Sequence, residues 1–126
     1  MKEFAAAEWQ RAQRTLRSAK QLAESDPDSA ASRAYYAAFH ALTALFALRG
    51  QTFSKHAAIR AALHRDLVQA GLLDAALGRD YDFLMDLREA GDYGGLAQVT
   101  TESAKTATAK AAGFIEALRR TFPELG

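Results

Sequence analysis

Apolar residues recur along the chain at spacings of three and four, which is the period of one face of an α-helix. The first stripe consists of Trp9, Ala12, Leu16, Ala19 and Ala23. The stretch Ser-Asp-Pro-Asp-Ser at 25–29 contains a proline and several capping side chains, which is typical of a break followed by a new helix start. The pattern therefore predicts one helix before this stretch and a second from about residue 28 to Leu48.

A third helix is predicted after Gly50, which ends the second. Ser54 is its expected N-cap, and Ile59, Leu63 and Leu67 form one apolar face. Gly71 is expected to stop this helix, because glycine is the commonest residue just beyond a helix C-terminus.

A shorter fourth helix is predicted from about Asp74 or Arg79 to Ala90, and Gly78 could divide it into two pieces. The sequence Gly-Asp-Tyr-Gly-Gly at 91–95 then predicts a loop. The last helix is predicted from about Thr101 to the residues just before a proline at 123, which cannot continue it.

No alternating strand pattern competes with these helices, so the predicted fold is all-α, an antiparallel bundle of four to five helices. The chain has 126 residues, the usual size of one domain, and residues 1–126 are predicted to form a single helical domain. Hydrophobic residues make up 49% and charged residues 25%, as in globular proteins.

The formal net charge of +1 gives no strong field, so any anion site must be local. The absence of cysteine excludes a disulfide framework and thiolate metal sites. No apolar run approaches membrane-spanning length, and charges interrupt the N-terminal apolar residues before a signal-peptide core could form. We therefore expect a cytoplasmic protein without membrane contact.

The stretch SRAYYAAFHAL at 32–42 places two tyrosines, an arginine and a histidine among alanines. At about 100° per residue, one helix face carries the expected core residues Tyr35, Phe39, Leu42 and Phe46. The other face carries Arg33, Tyr36 and His40. The structural interpretation makes Arg33 and His40 surface residues, with Tyr36 packed beneath a neighbouring helix.

The chemical interpretation assigns Arg33, Tyr36 and His40 to phosphodiester cleavage. Histidine titrates near neutral pH and can move the proton of a ribose 2′-hydroxyl or of the leaving oxygen. Arginine would stabilise the charge that develops on phosphate. His40, His56 and His64 lack zinc-site spacing, and no Glu-x-x-His motif is present, so no metal or cofactor is expected.

Three blocks in order, SRAYYAAFHAL, SKHAAIRAALHRDLVQAGLL and LREAGDYGG, resemble the HEPN superfamily, and in particular its small prokaryotic members. The resemblance spans about Arg11 to Leu118. It implies a helical bundle that commonly dimerises and is often encoded beside a minimal nucleotidyltransferase. In toxin–antitoxin pairs it implies a metal-independent ribonuclease with an Arg-x4–6-His motif, which the partner neutralises.

Arg33 and His40 match this motif with six intervening residues. Arg49 and His56 have the same spacing but straddle the predicted helix break at Gly50. In ribonuclease-type members the motif usually lies later, and the segment that best corresponds to it here, 88–93, keeps the arginine without the histidine.

Residues with supporting roles are expected in that late block and at the start of the third helix. In the late block, Asp92 and Tyr93 either close a turn or support the site together with Arg88, with Asp92 pairing with Arg88 or Arg33 to orient it. Lys55 and His56 open the third helix, where backbone N–H groups favour anions.

Two hypotheses remain. The first is an RNA-cleaving or RNA-binding toxin that acts as a dimer. The second is a non-catalytic module that binds a nucleotidyltransferase antitoxin-like partner or a nucleotide. The histidine missing from the late block favours the second, whereas the Arg33–Tyr36–His40 face favours the first, which we slightly prefer. The alanine-rich surfaces of the second and fifth helices, together with the resemblance, predict a homodimer.

Overall fold

The computed structural model describes residues 1–94 and 98–126, and these form helices joined by short turns. The five α-helices are α1 (Lys2–Leu22), α2 (Pro27–Leu48), α3 (His56–Ala62), α4 (Ala75–Tyr93) and α5 (Thr101–Thr121). A π-helical segment, Leu63–Val68, extends α3, and a 3₁₀ turn, Pro123–Leu125, follows α5. The described residues contain no strand, which confirms the predicted all-α fold.

The predicted helix starts depend on side chains that cap the first turn. Asp26 caps α2 by accepting hydrogen bonds from the Ser29 N–H and hydroxyl. Thr100 and Ser103 form a reciprocal capping box at the start of α5. Ser54 was expected to cap α3, and that prediction is wrong, because Lys55 precedes the helix in extended conformation without a side-chain cap.

Helix α4 is longer and more continuous than its glycines indicate. Gly78 does not divide the helix, which runs through it. This buried glycine instead allows α4 to approach His64 closely, because a Cβ added there would lie 2.8 Å from His64 Cε1. The loop predicted at 91–95 is wrong for Gly91, Asp92 and Tyr93, which continue the helix. The helix ends at Gly94, which has a φ of +71°. Gly95 lies outside the described residues.

Helix α2 is the central element, and it packs against α1, α4 and α5. Its fully buried residues include Ala37, Ala38, Ala41, Ala44, Tyr35, Leu42 and Phe46. The small alanine side chains let neighbouring helices approach closely, as predicted. Because these alanines are buried between helices of the same chain, α2 does not offer the alanine-rich dimer surface that was expected.

Phe39 was predicted to lie in the core, but it is only partly buried and packs against the edge of the core. Its ring lies 4.5 Å from the ring of His56, centroid to centroid, at the rim of the bundle. None of the helices in residues 1–94 and 98–126 is both long and apolar enough to cross a membrane.

Candidate functional site

A cavity of about 530 Å³ opens where α1, α2 and the end of α4 meet. It is lined by Arg11, Thr15, Asp28, Ser29, Ser32, Arg33, Tyr36, His40, Gly91 and Asp92. The three residues predicted to share a face of α2 thus line one cavity, and Asp92 joins them from α4. Arg33 is exposed and forms no ion pair with the described residues, so its guanidinium is available to a ligand.

His40 is held between the cavity and the interior of the bundle. Its Nδ1 is buried and lies 3.2 Å from Oε2 of Glu8 on α1, although the angle falls short of a hydrogen bond. Burial lowers the pKa of His40, and the nearby Arg11 and His56 add to this while Glu8 opposes it. At neutral pH the imidazole is therefore mainly uncharged and able to accept a proton.

Tyr36 connects the cavity to Arg88, the arginine of the late sequence block. Arg88 donates a hydrogen bond of 3.0 Å from Nη1 to the Tyr36 hydroxyl. Its guanidinium carbon lies 4.9 Å from the ring centroid of Tyr35 and 5.6 Å from that of Tyr36, within cation–π range. Asp92 Oδ2 lies 4.0 Å from Arg88 Nη1. Arg88 thus holds the Tyr36 hydroxyl in place and does not line the cavity itself.

Comparison with known proteins matches residues 6–121 to the model of the HEPN domain. The chain belongs to the HEPN family. It is also 36% identical over 116 residues to a UPF0332 protein from Thermotoga maritima, a match that covers 91% of this chain and 88% of that protein. The resemblance noted from the three sequence blocks is therefore confirmed at the level of the family.

A second polar cluster of this HEPN domain lies beside the cavity, inside the bundle. The hydroxyl of Tyr35 lies 2.7 Å from His56 Nδ1, and the Tyr81 hydroxyl donates to Tyr35 over 3.4 Å. Burial, and after it the charge of Arg88, lowers the pKa of His56, so its neutral Nδ1 can accept a hydrogen bond from the Tyr35 hydroxyl. Burial also raises the pKa of Tyr35. This arrangement ties α3 to α2 and α4.

The remaining predicted site residues are not brought to the cavity lining. His56 is engaged with Tyr35, and Lys55 is exposed just before the seven-residue helix α3. Tyr93 is 79% exposed at the end of α4. Arg49 and His56 are separated by the end of α2 and by Gly50, whose φ is +79°, as their sequence context indicated.

Sequence reasoning missed Glu8, Arg11, Ser29 and Ser32. Arg11 lies on the exposed surface of α1 and is also part of the cavity lining. The signal for Glu8 was present, since it lies only about 40° from Ala12 on a helical projection, within the apolar stripe of α1. A carboxylate in such a stripe requires a partner inside the protein.

Outside the cavity, Asp82 pairs with Arg60 at 2.9 Å and with His64 at 3.0 Å. This cluster joins α4 to α3 and its π-helical extension. Over residues 1–94 and 98–126, no three histidine, aspartate or glutamate side chains gather as a metal site would require.

Proposed function

We propose that the cavity of this HEPN domain binds the phosphodiester backbone of RNA and that His40 and Arg33 promote its cleavage without a metal ion. The observation that carries this proposal is the convergence of Arg33, Tyr36, His40 and Arg11 on one cavity. Two guanidiniums, a phenol and a neutral imidazole can together hold a phosphate and accept a proton beside it.

In the proposed reaction, Nε2 of His40 accepts the proton of a ribose 2′-hydroxyl. The 2′-oxygen then attacks the adjacent phosphorus and forms a 2′,3′-cyclic phosphate, while the bond to the 5′-oxygen breaks. The leaving 5′-oxygen takes a proton from water, and the protonated His40 gives its proton to the hydroxide that remains. Arg33 would stabilise the negative charge that grows on the phosphate oxygens, and the exposed Arg11 would add a second positive charge.

A second candidate function is a non-catalytic module that binds a nucleotide or a partner protein. It is favoured by the position of Arg88, which is bonded to Tyr36 instead of lining the cavity, and by the absence of a histidine from the late block. The carboxylates of Asp28 and Asp92 also offset the two cavity arginines, which weakens general attraction of anions.

The decisive experiment measures cleavage of single-stranded RNA by the purified chain, together with growth and RNA integrity during controlled expression. Arg33→Ala and His40→Ala should each reduce cleavage by about 10²–10⁴-fold, the usual effect of losing one positioned acid–base or charge-stabilising group. Both variants should keep the helix content of the parent. A chelator should leave cleavage unchanged.

Matched controls separate chemistry from folding. Arg14→Ala removes an exposed arginine of α1 that does not line the cavity, so cleavage should be retained. Leu42→Ala empties a fully buried position and should cost about 2–5 kcal/mol of stability. Full cleavage by His40→Ala would refute the catalytic proposal, and a wild-type chain that binds but never cleaves RNA would favour the non-catalytic module.

We further propose that the chain acts in a toxin–antitoxin pair with a minimal nucleotidyltransferase, because it belongs to a family in which this pairing recurs. Co-expression with the neighbouring reading frame should relieve any growth inhibition and yield a co-purifying complex. Inhibition that the neighbouring gene leaves unchanged would contradict the pairing.

A further inference from the structure

Glu8 is a carboxylate placed on the buried side of α1. Its side chain is 12% exposed and that of His40 is 14% exposed, and Oε2 lies 3.2 Å from His40 Nδ1. Glu8 has no other ion-pair partner among residues 1–94 and 98–126. Withdrawing a carboxylate from water costs free energy unless a partner compensates, and the imidazole of His40 is the group placed to compensate Glu8.

The two imidazole nitrogens of His40 have different surroundings. Nδ1 is fully buried and faces Glu8, whereas His40 as a residue lines the cavity. Nε2 is therefore the nitrogen that a ligand in the cavity can reach. The distance from Nδ1 to Glu8 Oε2 is within hydrogen-bond range, but the angle is not, and hydrogen bonds in catalytic sites often align fully only when the substrate is bound.

We infer that Glu8 is a positioning residue for His40: it holds the proton on Nδ1, so that the lone pair of Nε2 faces the cavity. An ionised carboxylate can only accept hydrogen bonds, so it favours the imidazole tautomer that donates from Nδ1. The catalytic consequence rests on the function proposed above, whereas the tautomer itself does not.

Other charged or titratable groups also face this imidazole. Arg11 comes from α1, His56 from α3 and Tyr36 from the same helix, while Asp92 of α4 lines the same cavity. Glu8 is the carboxylate within ion-pair distance, and its charge raises the pKa of His40 against the effect of burial. Removing that charge should therefore lower the pKa of His40 further.

The first test is a nitrogen-detected NMR titration of the full chain, whose three histidines allow assignment by single substitutions. The wild type should show His40 protonated on Nδ1 at neutral pH. Glu8→Gln, which keeps the shape but can also donate, should give mixed tautomers and a lower His40 pKa. The control Glu3→Gln changes an exposed glutamate of the same helix and should alter neither. An unchanged tautomer and pKa in Glu8→Gln would overturn the inference.

The second test is the pH profile of RNA cleavage. Glu8→Gln should lower kcat by roughly 10- to 100-fold with little change in KM, less than the ~10⁴-fold loss when the carboxylate of a serine-protease triad is neutralised. The acidic limb of the kcat profile should move to lower pH along with the pKa of His40. Glu8→Asp, which keeps the charge, should restore the wild-type limb.

The results separate the two proposals. A wild-type chain that shows the Nδ1 tautomer but no cleavage would refute the ribonuclease while leaving the role of Glu8 intact. A loss of kcat in Glu8→Gln without a change in tautomer or pH profile would assign Glu8 a purely structural role and overturn the inference.

Discussion

Tyr35 is a core residue of α2 that also contacts His56, the first residue of α3. Its side chain is fully buried, yet its hydroxyl contacts both His56 and Tyr81. A buried hydroxyl without a partner is costly, so these contacts make an aromatic core position compatible with tyrosine. The same ring lies beneath the Arg88 guanidinium that bonds Tyr36.

Replacing Tyr35 with phenylalanine should lower the free energy of unfolding by about 1–3 kcal/mol, because His56 Nδ1 loses a short bond while the ring volume is kept. Urea unfolding measures the change. Tyr81→Phe is the matched control and should cost less, since its contact with Tyr35 is 3.4 Å long. Equal losses in the two variants would contradict this ranking.

Stability should fall as the pH drops below about 6.5, the ordinary histidine pKa. Burial, the largest effect, lowers the folded-state pKa of both His40 and His56, so the unfolded chain takes up protons first. The stabilising contribution is therefore complete above pH ~6.5 and is lost as the pH falls toward the folded-state values. Urea unfolding at several pH values should show this slope.

The carboxylates also titrate in acid, so a variant is needed to isolate the histidines. The double variant His40→Gln, His56→Gln should lose less stability than the wild type between pH 7.5 and pH 5.5, whatever its stability at pH 7.5. An identical loss in both proteins would show that the histidines do not contribute.

The contact between α4 and the start of α2 is made by backbone against backbone. A Cβ added at Gly91 would lie 2.9 Å from the carbonyl oxygen of Asp28, whereas one added at Gly113 on α5 would meet nothing within 4 Å. Both glycines are helical, and Gly113 is exposed. The two positions therefore separate a tertiary contact from helix propensity.

Gly113→Ala should raise the free energy of unfolding by about 0.5–1 kcal/mol, because alanine restricts the unfolded chain and favours helix. Gly91→Ala gains the same propensity but must push α4 away from Asp28, so it should destabilise by about 1–3 kcal/mol. Thermal unfolding of both variants checks the signs, and a stabilising Gly91→Ala would refute the close contact.

The helices themselves were largely predictable, because their signals are local. The Asp26 cap, Pro27 and the glycines at 50 and 71 lie within a few residues of the boundaries that they set. The end of α4 was not predictable, because Gly91 is helical in a segment whose composition is typical of a loop. The need for a glycine at position 91 comes from the close contact with Asp28 of α2, which exists only in the folded chain.

In the candidate site, too, some residues could be predicted from local sequence and others could not. Arg33, Tyr36 and His40 could be grouped from sequence because helical periodicity alone places them on one side of α2. The apolar stripe of α1 signals that Glu8 needs a partner, but the sequence does not show that His40 is that partner or that Arg11 lies nearby, because both depend on the register between α1 and α2. That register is set by packing across the interface and has no short sequence signature.

At the scale of the whole molecule, self-association depends on the surfaces that the bundle leaves exposed. The alanines of α2 are buried within the chain, so an isologous dimer must use other surfaces. Exposed small residues remain on α5, including Ala109 and Gly113, beside Leu77 of α4. The expectation of a homodimer now rests on the family and on this outer side of α5.

Light scattering at micromolar concentration should report twice the chain mass of 13.7 kDa. If α5 forms the interface, Gly113→Arg should shift the protein to a monomer, whereas Arg14→Ala should not. A wild-type chain that stays monomeric across this range would refute the dimer and any site shared between two copies.

Helix α2 is buried around most of its circumference, and it carries Tyr36 and His40 to the cavity. Its amides should therefore be among the slowest to exchange with solvent, and its side chains have few alternative rotamers. A molecule entering the cavity would meet Tyr36 and His40 in positions that folding has already fixed, while the exposed Arg11 and Arg33 would still become ordered on binding. Little of its binding free energy would then be lost in ordering Tyr36 and His40, so a small fragment of a substrate that contacts these two residues should bind measurably.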